Sequence, residues 1–197
     1  MSPRMGLPAR RTSVWLGVAR LARFRVDGFE QFGHTPQAFL NSLAPLLAFP
    51  LVSGVIRFVG GAGHEALVNV LVSVIALVAP AVISYYFALA WGSDALWLRY
   101  AIAFNWCEAA MFLVAIVLLL LPGTAMAADL ALWAFVLMAI AVLLAYWLIL
   151  NGFLARHGLR ISLLRAAVLV IVVNLGTGSL VKGPWLVESL IGYLRGG

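Results

Sequence analysis

Glu108 is the side chain best placed to do chemistry: it falls inside the apolar run from Trp97 to Leu121, nine positions beyond Arg99. At 1.5 Å per residue, that spacing buries the carboxyl roughly 13 Å inside the boundary Arg99 marks. An acid at such depth in a bilayer defaults to a functional role. Asn174 lies nine positions beyond Arg165, at matching depth, and Asn105 shares a helical face with Glu108. Tyr86 and Tyr146, on neighbouring apolar runs, reach comparable levels. Asn105, Glu108, Tyr86, Tyr146 and Asn174 therefore form a candidate polar cluster near mid-membrane. Its chemistry would be a proton or ion relay, or a ligand for a lipid headgroup. The plainer alternative is packing, with the Glu108 carboxyl donating a hydrogen bond to Asn174, Tyr86 or Tyr146 and so fixing the helices.

Other reactive-looking combinations fail on spacing. His64-Glu65 opens like a zinc-protease helix, but Val68 stands where the second histidine must be. His34 and His157 are expected on the opposite side of the membrane from His64, so the three do not converge on a metal. Gly176-Thr177-Gly178-Ser179 followed by Lys182-Gly183 has the ingredients of a phosphate loop in the wrong order, with no strand before it. Small residues there suit close helix approach instead. Ser179 has no histidine at bilayer depth to activate it. The single cysteine, Cys107, makes no disulfide framework and no thiolate metal site. With no nucleophile–base pair and no metal set, neither an enzyme nor a cofactor is expected.

The elements that must carry these side chains follow from composition. The chain is 64% hydrophobic and 10% charged, with a mean hydropathy of +1.07, and soluble domains carry roughly 25% charged residues. Only a bilayer accepts apolar side chains all the way round a helix. Five windows are long enough to span: Ala38 to Val59, Ala66 to Trp91, Trp97 to Leu121, Leu130 to Leu154, and Ile161 to Val181. The fold class is thus all-α, a polytopic integral membrane bundle of five transmembrane helices with interfacial amphipathic helices at both ends. Pro45, Pro50 and Pro80 fall inside the first two windows, where a bundle tolerates a kink and a re-entrant first segment is the alternative. Thr35-Pro36 reads as a helix start, Gly60-Gly61-Ala62-Gly63 as a tight turn, and Pro122-Gly123 as a stop.

Residues 1–34 form a basic N-terminal segment, 35–183 the transmembrane domain, and 184–197 a C-terminal interfacial helix opened by Pro184. The apolar stretch Val14 to Phe24 is interrupted by Arg20 and Arg23, so it is expected to be retained rather than cleaved as a signal. It should instead lie on anionic lipid as an amphipathic helix, with Arg10, Arg11, Trp15, Arg20 and Arg23 touching the membrane surface. With the N-terminus inside, ten arginines flank the cytoplasmic side, against Arg57, Lys182 and Arg195 on the other. A cytoplasmic N-terminus and a periplasmic C-terminus follow. Twelve arginines against one lysine point to a bacterial, GC-rich source and hence to an inner membrane. The 13 basic and seven acidic residues are explained by lipid contact, and no nucleic-acid partner is expected because no aromatic-basic platform lies outside the apolar runs.

A short basic N-terminus, five hydrophobic segments and almost no loops resemble the layout of the Yip1-type five-helix membrane proteins, including bacterial members. The likeness covers most of residues 35–183. The Asp-Leu-Tyr-Gly-Pro type motif of the eukaryotic members is replaced by Phe32-Gly33-His34-Thr35-Pro36, so no functional residue carries over. Two functional expectations stand. The first is a non-enzymatic scaffold or accessory protein that organises lipid, other membrane proteins or copies of itself. The second is a small transporter or channel subunit working through the Glu108 cluster.

Overall fold

The computed structural model describes residues 13–120 and 130–196. Ser13 caps the first helix, α1 (Val14–Leu21), its hydroxyl facing the Leu16 N–H at 3.5 Å. A 3-10 segment (Val26–Gln31) follows, then α2 (Pro36–Arg57), α3 (Gly63–Ala90), α4 (Asp94–Leu120), α5 (Leu130–Gly158) and α6 (Leu163–Gly196). Thr35 Oγ1 accepts the Ala38 N–H at 3.2 Å with Pro36 at the first turn, which satisfies one of the free donors of the helix start.

All described secondary structure is helical, and four stretches are long and apolar enough to cross a membrane: Pro36–Ala90, Asp94–Leu118, Trp133–Gly158 and Leu163–Gly183. The first contains both α2 and α3, joined through a π-turn at Phe58–Ala62. Its chain reverses there. Gly61 takes φ 94° and Gly63 φ 24°, conformations that a side chain resists. The reversal lets Gly54 of α2 press directly on Val70 of α3. Pro45, Pro50 and Pro80 all lie within helices, as a bundle allows.

The α3–α4 connection is a glycine-terminated cap. Gly92 stands at φ 68°, the Ser93 N–H donates to Ala88 O at 2.7 Å and the Gly92 N–H to Leu89 O at 3.2 Å, which closes the last carbonyls of α3. Between α5 and α6, Arg160 takes φ 54° and Ser162 accepts the Arg165 N–H at 3.4 Å.

α4 lies centrally, against α1, α2, α3 and α5, while α6 packs on α3 and α5. The bundle is sealed at one end by a core of Leu21, Phe29, Phe32, Tyr100, Leu154 and Leu159. The Arg99 guanidinium lies 4.8 Å from the centroid of the Phe29 ring, and Gly158 approaches both Tyr100 and Phe29. The N-terminal segment, the 91–93 turn and the 159–162 turn therefore share this end.

One sequence expectation needs correction. α6 continues without a break to Gly196, so Pro184 sits inside a helix rather than opening a separate C-terminal one. A proline removes one backbone bond and is accommodated at an interior kink as readily as at a first turn. The structure packs α1 against the bundle: Leu21 and Gly17 are buried and Val14 and Val18 lie against the core. Trp15, 70% exposed, and its neighbour Leu16 are left facing outward. Arg20 pairs with Asp27 at 3.3 Å, as does Arg25 at 2.9 Å. Arg10 and Arg11 lie outside the described residues.

Candidate functional site

α4 and α6 do not close on one another, and the space between them, bounded by α3 and α5, is a cavity of about 460 Å³. Glu108 and Asn105 line it from α4, Trp147 and Asn151 from α5, and Asn174, Thr177 and Lys182 from α6. The remaining wall is apolar, including Leu77, Phe104, Phe112 and Leu169. The volume is that of a ligand pocket, roughly 300–1,000 Å³, with a few polar groups converging in an apolar lining.

Glu108 accepts two hydrogen bonds, both on Oε1: from Trp147 Nε1 at 2.7 Å and from Asn151 Nδ2 at 3.1 Å. Trp147 and Asn151 are four residues apart on α5, so they share one helical face. Among the described ion pairs none includes Glu108. Asn105 is buried and donates through Nδ2 to Ser42 Oγ at 2.9 Å, and Ser42 in turn donates to Phe39 O at 2.7 Å. That relay ties α4 to α2. Asn174 donates to the carbonyl of Val170, one turn back on its own helix, at 2.8 Å. Thr177, a turn further out on α6, has a buried hydroxyl oxygen without a hydrogen-bond partner.

The cluster expected from sequence is thus brought together in part. Asn105, Glu108 and Asn174 line one cavity. Tyr86 does not join them: it is 65% exposed on the outer face of α3, edge-on to Tyr85. Tyr146 does not either, because its hydroxyl donates to the Ala22 carbonyl and its ring packs edge-on against Phe24. Each tyrosine was placed by depth alone, and depth does not fix which way a helix face turns. The observed bonds also run opposite to expectation, since Glu108 accepts from its partners on α5 instead of donating to Asn174 or a tyrosine.

Trp147 and Asn151 were the residues that sequence reasoning missed. Counting inward from Arg156 at the end of α5 would have found Trp147 nine positions away, the same interval that separates Glu108 from Arg99. The histidines stay apart, His64 on α3 beside the 58–62 turn and His157 near the opposite end, its ring 4.7 Å from Phe153.

No family model, curated protein or solved structure matches the chain.

Proposed function

We propose that this protein is a solute-binding membrane protein of the transporter or channel-subunit kind, working through the Glu108 cavity. The observation that carries the proposal is an acid within an apolar helix, tied at one oxygen by Trp147 and Asn151 and facing an apolar-walled space of about 460 Å³. Acids are costly in hydrocarbon and mark substrate or ion pathways. A scaffold that only organises neighbours needs a packed interior and no such space, which is why the binding role is favoured over it.

The supporting topology has α2 and α3 crossing separately, five crossings in all, with residues 13–34 in the cytoplasm of a bacterial inner membrane. It rests on the chain reversal at Gly61 and on the excess of arginine at the end shared by the N-terminal segment and the 91–93 and 159–162 turns. Reporter fusions in the Gly92 and Arg160 turns should read cytoplasmic and one at Gly61 external; a cytoplasmic Gly61 would sink the five-crossing arrangement.

The binding role is tested by closing the cavity. A Cβ at Gly178, which lines it, meets nothing within 4 Å, so Gly178→Leu fills space without touching Glu108. In lipid nanodiscs, a panel of small cations, anions and neutral solutes should include at least one that raises the melting temperature of the wild type and not of Gly178→Leu. If no solute distinguishes the two proteins, the cavity is not a binding site.

A further inference from the structure

At the inner end of the cavity the protein leaves one carboxyl oxygen and three side-chain amides only partly used. Asn105 spends its Nδ2 on Ser42, Asn151 on Glu108 and Asn174 on Val170 O. Each amide therefore turns one N–H to the protein and keeps its Oδ1 acceptor beside a second N–H. Glu108 takes both of its bonds on Oε1, which leaves Oε2. The cavity thus presents acceptor oxygens from four side chains, one of them a carboxyl, and in an apolar surround such atoms demand donors. Lys182 is the one cationic residue in the lining. It stands eight positions beyond Asn174 on α6, roughly 12 Å along the helix axis, and does not answer them.

Resting on the binding role proposed above, we infer that the ligand is an organic cation: a primary ammonium on a short apolar chain. The ammonium carries three N–H donors and no acceptor, which matches the set of oxygens left by Glu108, Asn105, Asn151 and Asn174. The apolar chain matches Phe104, Phe112, Leu77 and Leu169. A bare metal cation would satisfy the oxygens but leave most of about 460 Å³ unfilled beside hydrocarbon walls. An anion would face the Glu108 carboxyl, with the one cationic residue of the lining, Lys182, well out along α6. The free Thr177 hydroxyl lies on the outward path along α6 and offers a way-station for the same ammonium.

The test uses the full chain in lipid nanodiscs and four probes: hexylammonium, its neutral counterpart hexanol, its anionic counterpart hexanoate, and sodium chloride at matched ionic strength. Hexylammonium should raise the wild-type melting temperature saturably. The half-saturating concentration should rise at least tenfold for Glu108→Gln, which preserves an oxygen acceptor for Trp147 and Asn151, and the effect should vanish in Gly178→Leu. Intrinsic fluorescence should respond in the same series and lose most of its change in Trp147→Phe. If hexanol or hexanoate matches hexylammonium and is likewise lost in Gly178→Leu, the cavity binds solutes but the cation assignment is overturned. Saturable stabilisation by sodium equal to that by hexylammonium also overturns it, in favour of a metal cation. If no probe separates wild type from Gly178→Leu, the cation assignment falls together with the binding role.

Discussion

Trp147 of α5 donates its indole N–H to Glu108 Oε1 of α4 at 2.7 Å, so this acid is held by a neighbouring helix rather than by its own. Between helices in lipid, such bonds average about 0.6 kcal/mol and reach about 1.7 kcal/mol. Trp147→Phe should therefore lower stability by about 1 kcal/mol, read from unfolding in mixed detergent–lipid micelles. Glu108→Gln should cost less, because its side-chain oxygen still accepts. In a double-mutant cycle with Glu108→Ala, the Trp147→Phe cost should shrink to near zero; full additivity would mean that the bond contributes nothing.

The Asn105–Ser42 bond makes a different prediction, because both partners are buried and the hydroxyl passes its own proton to Phe39 O. Ser42→Ala leaves the Asn105 amide without an acceptor, and an unsatisfied buried donor costs roughly 1–3 kcal/mol. Asn105→Ala leaves Ser42 still bonded to Phe39 O and should be milder at that site, although it also removes a cavity wall. Chemical unfolding of the two variants side by side decides the order. A Ser42→Ala protein as stable as wild type would contradict it.

Two glycines should respond oppositely to the same methyl. A Cβ at Gly54 collides with Val70 Cγ2 across the α2–α3 contact, whereas one at Gly178, beside the cavity, meets nothing within 4 Å. Overpacking costs typically 1–3 kcal/mol, so Gly54→Ala should be destabilised by about that much. Gly178→Ala relieves the entropic cost of glycine in a helix, about 0.5–1 kcal/mol, and should be neutral or stabilised. Equal effects at both positions would show that the two environments are not distinct.

Much of the architecture was legible from hydropathy, because a bilayer imposes a length on every crossing and leaves little freedom in where helices start. The window Ala66 to Trp91 was realised as Gly63–Ala90, and Leu130 to Leu154 as Leu130–Gly158. The Thr35-Pro36 start and the glycine turn at 60–63 were legible for local reasons, namely capping and positive φ. What was not legible was rotation. In a segment that is apolar all round, no stripe says which face meets protein, so depth selected Tyr86 and Tyr146 as readily as Asn174. The structure turns the first outward and gives the second to Ala22. The division of α1 between protein and surroundings escaped for a related reason: Val14, Trp15, Val18 and Leu21 form one apolar face on a helical wheel, and nothing local says which part of that face the bundle claims.

That division supplies the last prediction. Leu21 is fully buried and Val18 packs beside it, while Trp15 is 70% exposed on the same short helix. The segment is further tied down by the Tyr146 hydroxyl on the Ala22 carbonyl, by Phe24 against Phe153 with ring centroids 5.4 Å apart, and by Asp27 between Arg20 and Arg25. Leu21→Ala should open a cavity at the sealed end of the bundle, at a cost of about 2–5 kcal/mol. Trp15→Ser removes nothing from that core and should stay within about 0.5 kcal/mol of wild type, yet weaken association of this segment with anionic lipid, since aromatic side chains anchor at the headgroup level. Tyr146→Phe should leave the bundle folded but loosen the segment around Ala22, so that trypsin cleaves after Arg23 and Arg25 faster than in the wild type. Melting temperature, tryptic half-life and exchange protection of residues 14–32 separate the three effects. A Trp15→Ser protein destabilised as severely as Leu21→Ala would show that the whole face, and not only its inner half, is packed against the bundle.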